Sequence, residues 1–188
     1  MIATSQDLAV MTEADWERLP EDGRWEVVEG RAILLPANDI EHQDVADALL
    51  ELFRVKLRTL GYGYAVSIPN VRIPLQPDEL GEIRSRVPDL VAARKRPHRF
   101  FPVGSPPDLV IEVLSTRRGN VERTEKLDDY ARAGIGEYWI VNPFDRLVEV
   151  YRLRDGDYAP PETAAQKFRP AAFPDIEIDL AQIWAAID

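Results

Sequence analysis

With 188 residues, 45% of them apolar and 30% charged, the chain suits one compact domain spanning 1–188 with a single core. The absence of cysteine excludes disulfides and thiolate metal sites, and it fits a reducing cytoplasm. The formal charge of −10, from 33 acidic and 23 basic residues, argues against a broad non-specific attraction to phosphate polymers, so any contact with nucleic acid needs a local basic patch.

The first dozen residues lack a basic segment followed by a long apolar core, and no later apolar run approaches the roughly 18 residues of a membrane span. A cytoplasmic protein without a membrane segment is expected. Thr12 can cap a short helix running to Leu19, with Glu13 and Asp15 in the first turn, where the helix dipole favours anions, and Trp16 as its anchor. Arg24 to Pro36, R-W-E-V-V-E-G-R-A-I-L-L-P, reads as a hairpin turning at Glu29-Gly30. From Glu41 to Leu60 the residues Val45, Leu49, Leu52, Phe53, Leu57 and Leu60 recur at helical spacing, and Gly61 supplies the stop. His42 falls on the inward edge of that helix's first turn.

Tyr62 to Leu75 predicts an irregular or edge strand broken by Pro69 and ended by Pro74, followed by a polar loop through Arg86. Val87 to Arg94 is a short strand opening with Pro88-Asp89, and the basic loop R-K-R-P-H-R, Arg94 to Arg99, comes after it. Next is P-D-L-V-I-E-V-L-S, Pro107 to Ser115, an apolar strand with Glu112 inside it, and then a helix over Val121 to Ala133 ended by Gly134. Two strands, Glu137 to Pro143 and Arg146 to Leu153, meet at an Asn142-Pro143 turn, and Asp155-Gly156 marks a further hairpin. The last stretch alternates to Leu180 and ends in a short helix carrying Ile183, Trp184 and Ile187. This order predicts a mixed α/β sheet with strand–helix–strand at its centre.

A carboxylate inside so apolar a strand is costly unless a cation or strong hydrogen bonds meet it. Alternation puts Asp108, Val110, Glu112 and Leu114 on one face of the strand, yet Asp108 and Glu112 are roughly 13 Å apart at about 3.3 Å per residue, too far to share a cation. Asp89 is the natural partner, provided its strand runs antiparallel to Pro107–Ser115. Such a pair suits Mg²⁺, or Mn²⁺, because a hard cation takes one or two protein carboxylates and completes its shell with water and phosphate. Lys126, early in the next helix and on the same face as Tyr130, can reach back over the strand's carboxyl end. An ammonium there orients an attacking water and offsets charge developing on phosphorus.

These segments together resemble the Uma-two family of restriction-endonuclease-like proteins, a branch of the PD-(D/E)xK nuclease superfamily. The resemblance rests on W-E-V-V-E-G, a helix opening with His42, V-P-D-L-V, P-D-L-V-I-E-V-L-S, E-K-L-D-D-Y-A-R-A-G and E-Y-W-I-V-N-P, in that order over nearly the whole chain. It implies a restriction-endonuclease-like mixed central sheet flanked by helices, with an added N-terminal hairpin and added C-terminal strands. It also implies a Mg-dependent (or Mn-dependent) endonuclease acting on DNA. Pro88-Asp89 matches the superfamily's paired proline and aspartate, and Glu112 matches the acid of its last motif. The lysine expected two residues later is replaced by Leu114, and Lys126 matches a lysine migrated to the following helix. Glu26 matches the carboxylate of the family's opening hairpin, as an additional ligand or a base. Enzymes that cut both strands of a duplex often act as dimers, which makes a homodimer one expected assembly.

Each residue also has a plainer reading. Glu112 could be a structural ion pair with Lys126 or an arginine, Asp89 a turn residue, and Lys126 a solvated helix residue. His42 is read as a helix-start residue hydrogen-bonded within the fold rather than a ligand, and Glu26 as a cross-strand partner. The loop from Arg94 to Arg99, with Arg117, Arg118 and Arg123, is the best candidate for a phosphate-contacting patch. The alternative to a nuclease is a catalytically inactive nuclease fold serving as a binding or assembly module; a metal-dependent hydrolase of another substrate is a third class.

Overall fold

The computed structural model describes residues 11–16, 18–20, 23–66, 73–75, 84–97, 101–117 and 119–188. In chain order the elements are α1 (Glu13–Trp16), β1 (Trp25–Val28), β2 (Arg31–Leu34), α2 (Ile40–Leu60), β3 (Tyr64–Val66), β4 (Ile73–Pro74), β5 (Ser85–Arg86), β6 (Leu90–Ala93) and β7 (Leu109–Val113). They continue with α3 (Glu125–Arg132), β8 (Glu137–Asn142), β9 (Leu147–Arg154), β10 (Asp157–Tyr158), β11 (Glu162–Ala164), β12 (Lys167–Phe168), β13 (Ile178–Asp179) and α4 (Leu180–Trp184).

The main sheet has the order β10-β9-β8-β7-β6-β3, with β11 also pairing β9. Among the described residues its one parallel pair is β7 with β8, joined by the crossover helix α3. Every residue of β7 is buried, as a strand covered on both faces requires. Leu109, Ile111 and Val113 pack into one core with Leu49 and Phe53 of α2 and with α4, and the Phe53 ring lies 5.7 Å from that of Trp139. Val110 and Leu114 point the other way, into a second core with Tyr130 of α3 and with Tyr138 and Tyr151. Glu112 shares this α3 face by the two-residue period of the strand.

Local chemistry accounts for the boundaries of α2. Asp39 caps its start by accepting a hydrogen bond from the His42 backbone N at 2.8 Å, and Gly61, at φ 74°, closes it in the left-handed region. The β1–β2 turn needs two positive φ angles, which Glu29 and Gly30 supply at 50° and 66°. Asp155 and Gly156 do the same between β9 and β10.

The sequence reading differs from the structure in four places. Tyr62 to Leu75 is not one strand, because β3 joins the main sheet while β4 joins a separate sheet of order β2-β1-β5-β4; 67–72 lie outside the described residues. Of the polar loop predicted through Arg86, 76–83 lie outside the described residues, and Ser85–Arg86 forms β5, buried against β1. Helix α3 begins at Glu125 rather than Val121, because the Thr124 hydroxyl binds Asn120 O at 2.6 Å and Lys126 N reaches Val121 O, a five-residue span that delays α-helical register. At the N-terminus, α1 covers Glu13–Trp16 and does not reach Leu19, residue 17 lying outside the described residues, and Thr12 Oγ1 donates to Asp15 at 2.6 Å. No helix among the described residues is long and apolar enough to cross a membrane.

Candidate active site

Antiparallel pairing of β6 and β7 sets the site. Leu90 lies opposite Ile111 and Val91 opposite Val110, so extending the register by one residue puts Asp89 opposite Glu112. The Val113 backbone N donates to Asp89 Oδ2 at 2.9 Å, which fixes the two strand ends together. Helix α3 then returns over this end of β7. Lys126 Nζ sits 2.9 Å from Glu112 Oε1, and the Tyr130 hydroxyl, one helical turn on, donates to the same oxygen at 2.5 Å. Among the described residues no hydrogen bond uses Glu112 Oε2.

The N-terminal hairpin adds Glu26 from β1. Its Oε1 lies 3.7 Å from Lys126 Nζ and accepts from Val87 N at 3.2 Å, while its Oε2 accepts from Arg86 Nη1 at 2.8 Å. Arg86 itself is buried and extends to α3, where its Nε donates to Asp129 Oδ2 at 2.6 Å and its Nη2 lies 3.4 Å from Glu125. Asp89 has its own clamp: Arg24 Nη2 at 2.8 Å on Oδ1, and His42 Nε2 at 3.0 Å on Oδ2. His42 is therefore the buried, hydrogen-bonded helix-start residue its spacing suggested.

Asp89, Glu112, Lys126 and Glu26 thus come together, drawn from two strand ends, a hairpin and a helix. Asp108 does not join them. It sits at the other end of β7, where it accepts from the Arg94 backbone N at 2.7 Å. Among the described residues the basic patch is not assembled either, because the antiparallel pairing sends Arg94 and Arg117 to opposite ends of the sheet. Arg94 binds Ala172 O, Arg117 pairs with Asp145, and Arg123 pairs with Glu149. His98, Arg99 and Arg118 lie outside the described residues.

Arg24 and Arg86 escaped the sequence reading, and so did Asp89 as the partner of His42 and Glu112 as the partner of the Tyr130 hydroxyl. Arg84 and Arg86 alternate around Ser85, a weak strand signal that reads equally well as a polar loop.

The charges of the cluster diverge. Burial raises the Glu112 carboxyl to about 8 against the attraction of Lys126, with Asp89 and Glu26 adding to the rise. Burial also disfavours ionised Asp89, but His42, Lys126 and Arg24 outweigh it and hold that carboxyl well below its ordinary value. Lys126 is raised above the ordinary lysine value, since Glu112, Glu26 and Asp89 outweigh its own desolvation, and it stays charged throughout the neutral range.

Glu112 is protonated more readily folded than unfolded, so its contribution to stability is complete below the ordinary 4.5 and is lost as pH rises through about 8. Between these limits wild type should lose stability relative to Glu112→Gln steadily as the pH rises. Urea unfolding of both proteins at pH 5, 6, 7 and 8 measures this, and a pH-independent difference would refute it.

The donor set suits a hard cation, since Asp89 and Glu112 are oxygen donors standing opposite each other on neighbouring strand ends. Among the described residues no three or more His, Cys, Asp or Glu side chains are grouped to hold a metal, so a divalent ion here would take two protein carboxylates and fill its shell from water and substrate, as Mg²⁺ commonly does.

No curated protein sequence matches the chain. The solved structure of a putative nuclease belonging to DUF820 from Anabaena variabilis is similar at a TM-score of 0.74 and 18% sequence identity, over 95% of this chain and 99% of that one. The likeness establishes the fold, a mixed sheet flanked by helices of the restriction-endonuclease-like kind. The family model described as putative restriction endonuclease, Uma2, matches residues 13–181, and with that match over most of its length the chain belongs to the Uma2 family.

Proposed function

We propose that the chain is a divalent-metal-dependent endonuclease that hydrolyses DNA phosphodiester bonds, with Asp89, Glu112 and Lys126 at its centre. The supporting observation is the convergence of two opposed carboxylates and one buried ammonium, with Lys126 Nζ 2.9 Å from Glu112 Oε1. Mg²⁺ or Mn²⁺ would be held by Asp89 and Glu112, and when bound it supplies Lewis-acid polarisation of the phosphodiester and a more acidic water.

The remaining work belongs to the chain's own side chains. Lys126 keeps its proton, so it acts as a fixed positive charge beside the phosphorus rather than as a base. Tyr130 and Lys126 both hold Glu112 by Oε1, which leaves Oε2 for a ligand. Glu26 has both oxygens engaged and serves as a positioning residue that aims Lys126. Cutting both strands of a duplex calls for two such sites, for which a homodimer is the natural assembly.

A second reading, an inactive nuclease fold used for binding or assembly, is favoured by one observation: the cluster is charge-compensated by Arg24 and Lys126 with no added cation. Calorimetric titration with Mg²⁺ and Mn²⁺, together with nicking of supercoiled plasmid, separates the two. The nuclease is expected to bind the ion and cut, and Asp89→Ala and Glu112→Ala should each abolish both. Absence of ion binding together with cleavage insensitive to these substitutions would refute it, and a panel of nucleic acids and small phosphodiesters identifies the substrate class.

A further inference from the structure

The two oxygens of Asp89 are held in different ways. Oδ2 accepts from His42 Nε2 at 3.0 Å and from the Val113 backbone N at 2.9 Å, both parts of the rigid frame. The His42 ring is 2% exposed, and its own backbone N is tied to the Asp39 cap. Its Nδ1 is buried without a partner. A buried, unpaired acceptor is better tolerated than a buried, unpaired N–H, which places the ring proton on Nε2, pointing at Asp89. An orphaned nitrogen gives His42 nothing that an apolar residue would lack, so the bond to Asp89 is what this histidine supplies.

Oδ1 is held by a different kind of group. Its partner is Arg24 Nη2 at 2.8 Å, on a long side chain that remains 19% exposed and makes only a second, 3.4 Å contact with Val87 O. Among the described residues Arg24 is the one cation on Asp89 with both a route to solvent and the rotamer freedom to leave. A divalent ion placed beside a guanidinium on one carboxylate would face strong repulsion in a site this buried.

We propose that a divalent cation exchanges with Arg24 on Asp89 Oδ1 while His42 keeps hold of Oδ2, an exchange that rests on reading Asp89 as a metal ligand. Arg24 is then a competitor built into the fold, and His42 is a positioning residue that presents the free oxygen. The two partners of one carboxylate should act with opposite sign on ion affinity.

Titration of the full-length protein with Mn²⁺ alone, followed by calorimetry at fixed salt, tests this. An Arg24 contact occupied about nine-tenths of the time masks affinity about tenfold, so Arg24→Met should bind Mn²⁺ about tenfold tighter, and Arg24→Lys, which keeps the charge, should stay within about threefold of wild type. His42→Leu should weaken binding about 10- to 100-fold, and His42→Gln, whose amide nitrogen can stand where Nε2 stands, should recover most of it.

Unchanged or weaker binding by Arg24→Met overturns the exchange. A His42→Gln protein as weak as His42→Leu overturns the positioning role, since general damage to the fold would not be repaired by a single amide. Failure of wild type to bind Mn²⁺ removes the metal-site reading itself, a result seen before any variant is compared.

Discussion

Lys126→Met is expected to lower plasmid cleavage about 10²- to 10³-fold, the range found when one preorganised charge stabiliser is removed from a transition state. Lys126 Nζ lies 2.9 Å from Glu112 Oε1, and Glu26 Oε1 also lies within 3.7 Å of it. Rotation of Arg86 does not replace it, because Arg86 is buried and tied to Glu26 and Asp129. Methionine keeps the length and apolar stem while deleting the charge, and Glu112 then takes up a proton more readily still, which limits the damage to folding. Lys126→Arg should recover only part of the rate, because a planar fork does not fit where a compact ammonium meets two carboxylates. Cleavage rates at saturating metal, with circular dichroism to establish folding, measure the effect. A Lys126→Met protein cutting within about threefold of wild type would remove Lys126 from the mechanism.

Arg86→Met is the substitution expected to cost most in stability, about 3–5 kcal/mol by urea unfolding, which is the range for breaking a buried ion pair from one side. Arg86 is fully enclosed and bridges β5 to both β1 and α3, through Glu26 at 2.8 Å and Asp129 at 2.6 Å. Removing it strands two buried carboxylates; Asp129 keeps only a 3.4 Å contact with Arg84, and Glu26 keeps Val87 N and Lys126. Adding Glu26→Gln and Asp129→Asn to Arg86→Met should restore a large part of the loss, since the penalty comes from unpaired charge rather than lost volume. A triple variant as unstable as the single one would assign the effect to packing. Because Arg86 also holds the carboxylate that aims Lys126, the single variant should cut more slowly even where it is still folded.

The way these groups meet shows what can be read from one dimension. Period and punctuation carry the elements. The helical spacing of Val45, Leu49, Phe53 and Leu57 with Gly61 as stop, and the Glu29-Gly30 and Asp155-Gly156 turns, depend on contacts within a few residues, and the structure reproduces them. Alternation in β7 likewise separates the face of Glu112 from that of Ile111, and it excludes Asp108 as a co-ligand without any coordinates. Short or irregular pieces were less legible. The Ser85–Arg86 strand is two residues long, and its pairing with Val27 is made across 58 residues of chain, so no local pattern marks it.

The sequence by itself determined the order of the elements, the faces of its strands and helices, and the residue types able to hold a hard cation and a fixed positive charge. Only the tertiary structure decided who neutralises whom. Arg24 on Asp89, Arg86 between Glu26 and Asp129, and His42 behind Asp89 are pairings across 65, 60, 43 and 47 residues. Such pairings are set by sheet order and helix placement, and a burial that raises Glu112 while leaving Asp89 ionised exists only once those elements have closed around the site.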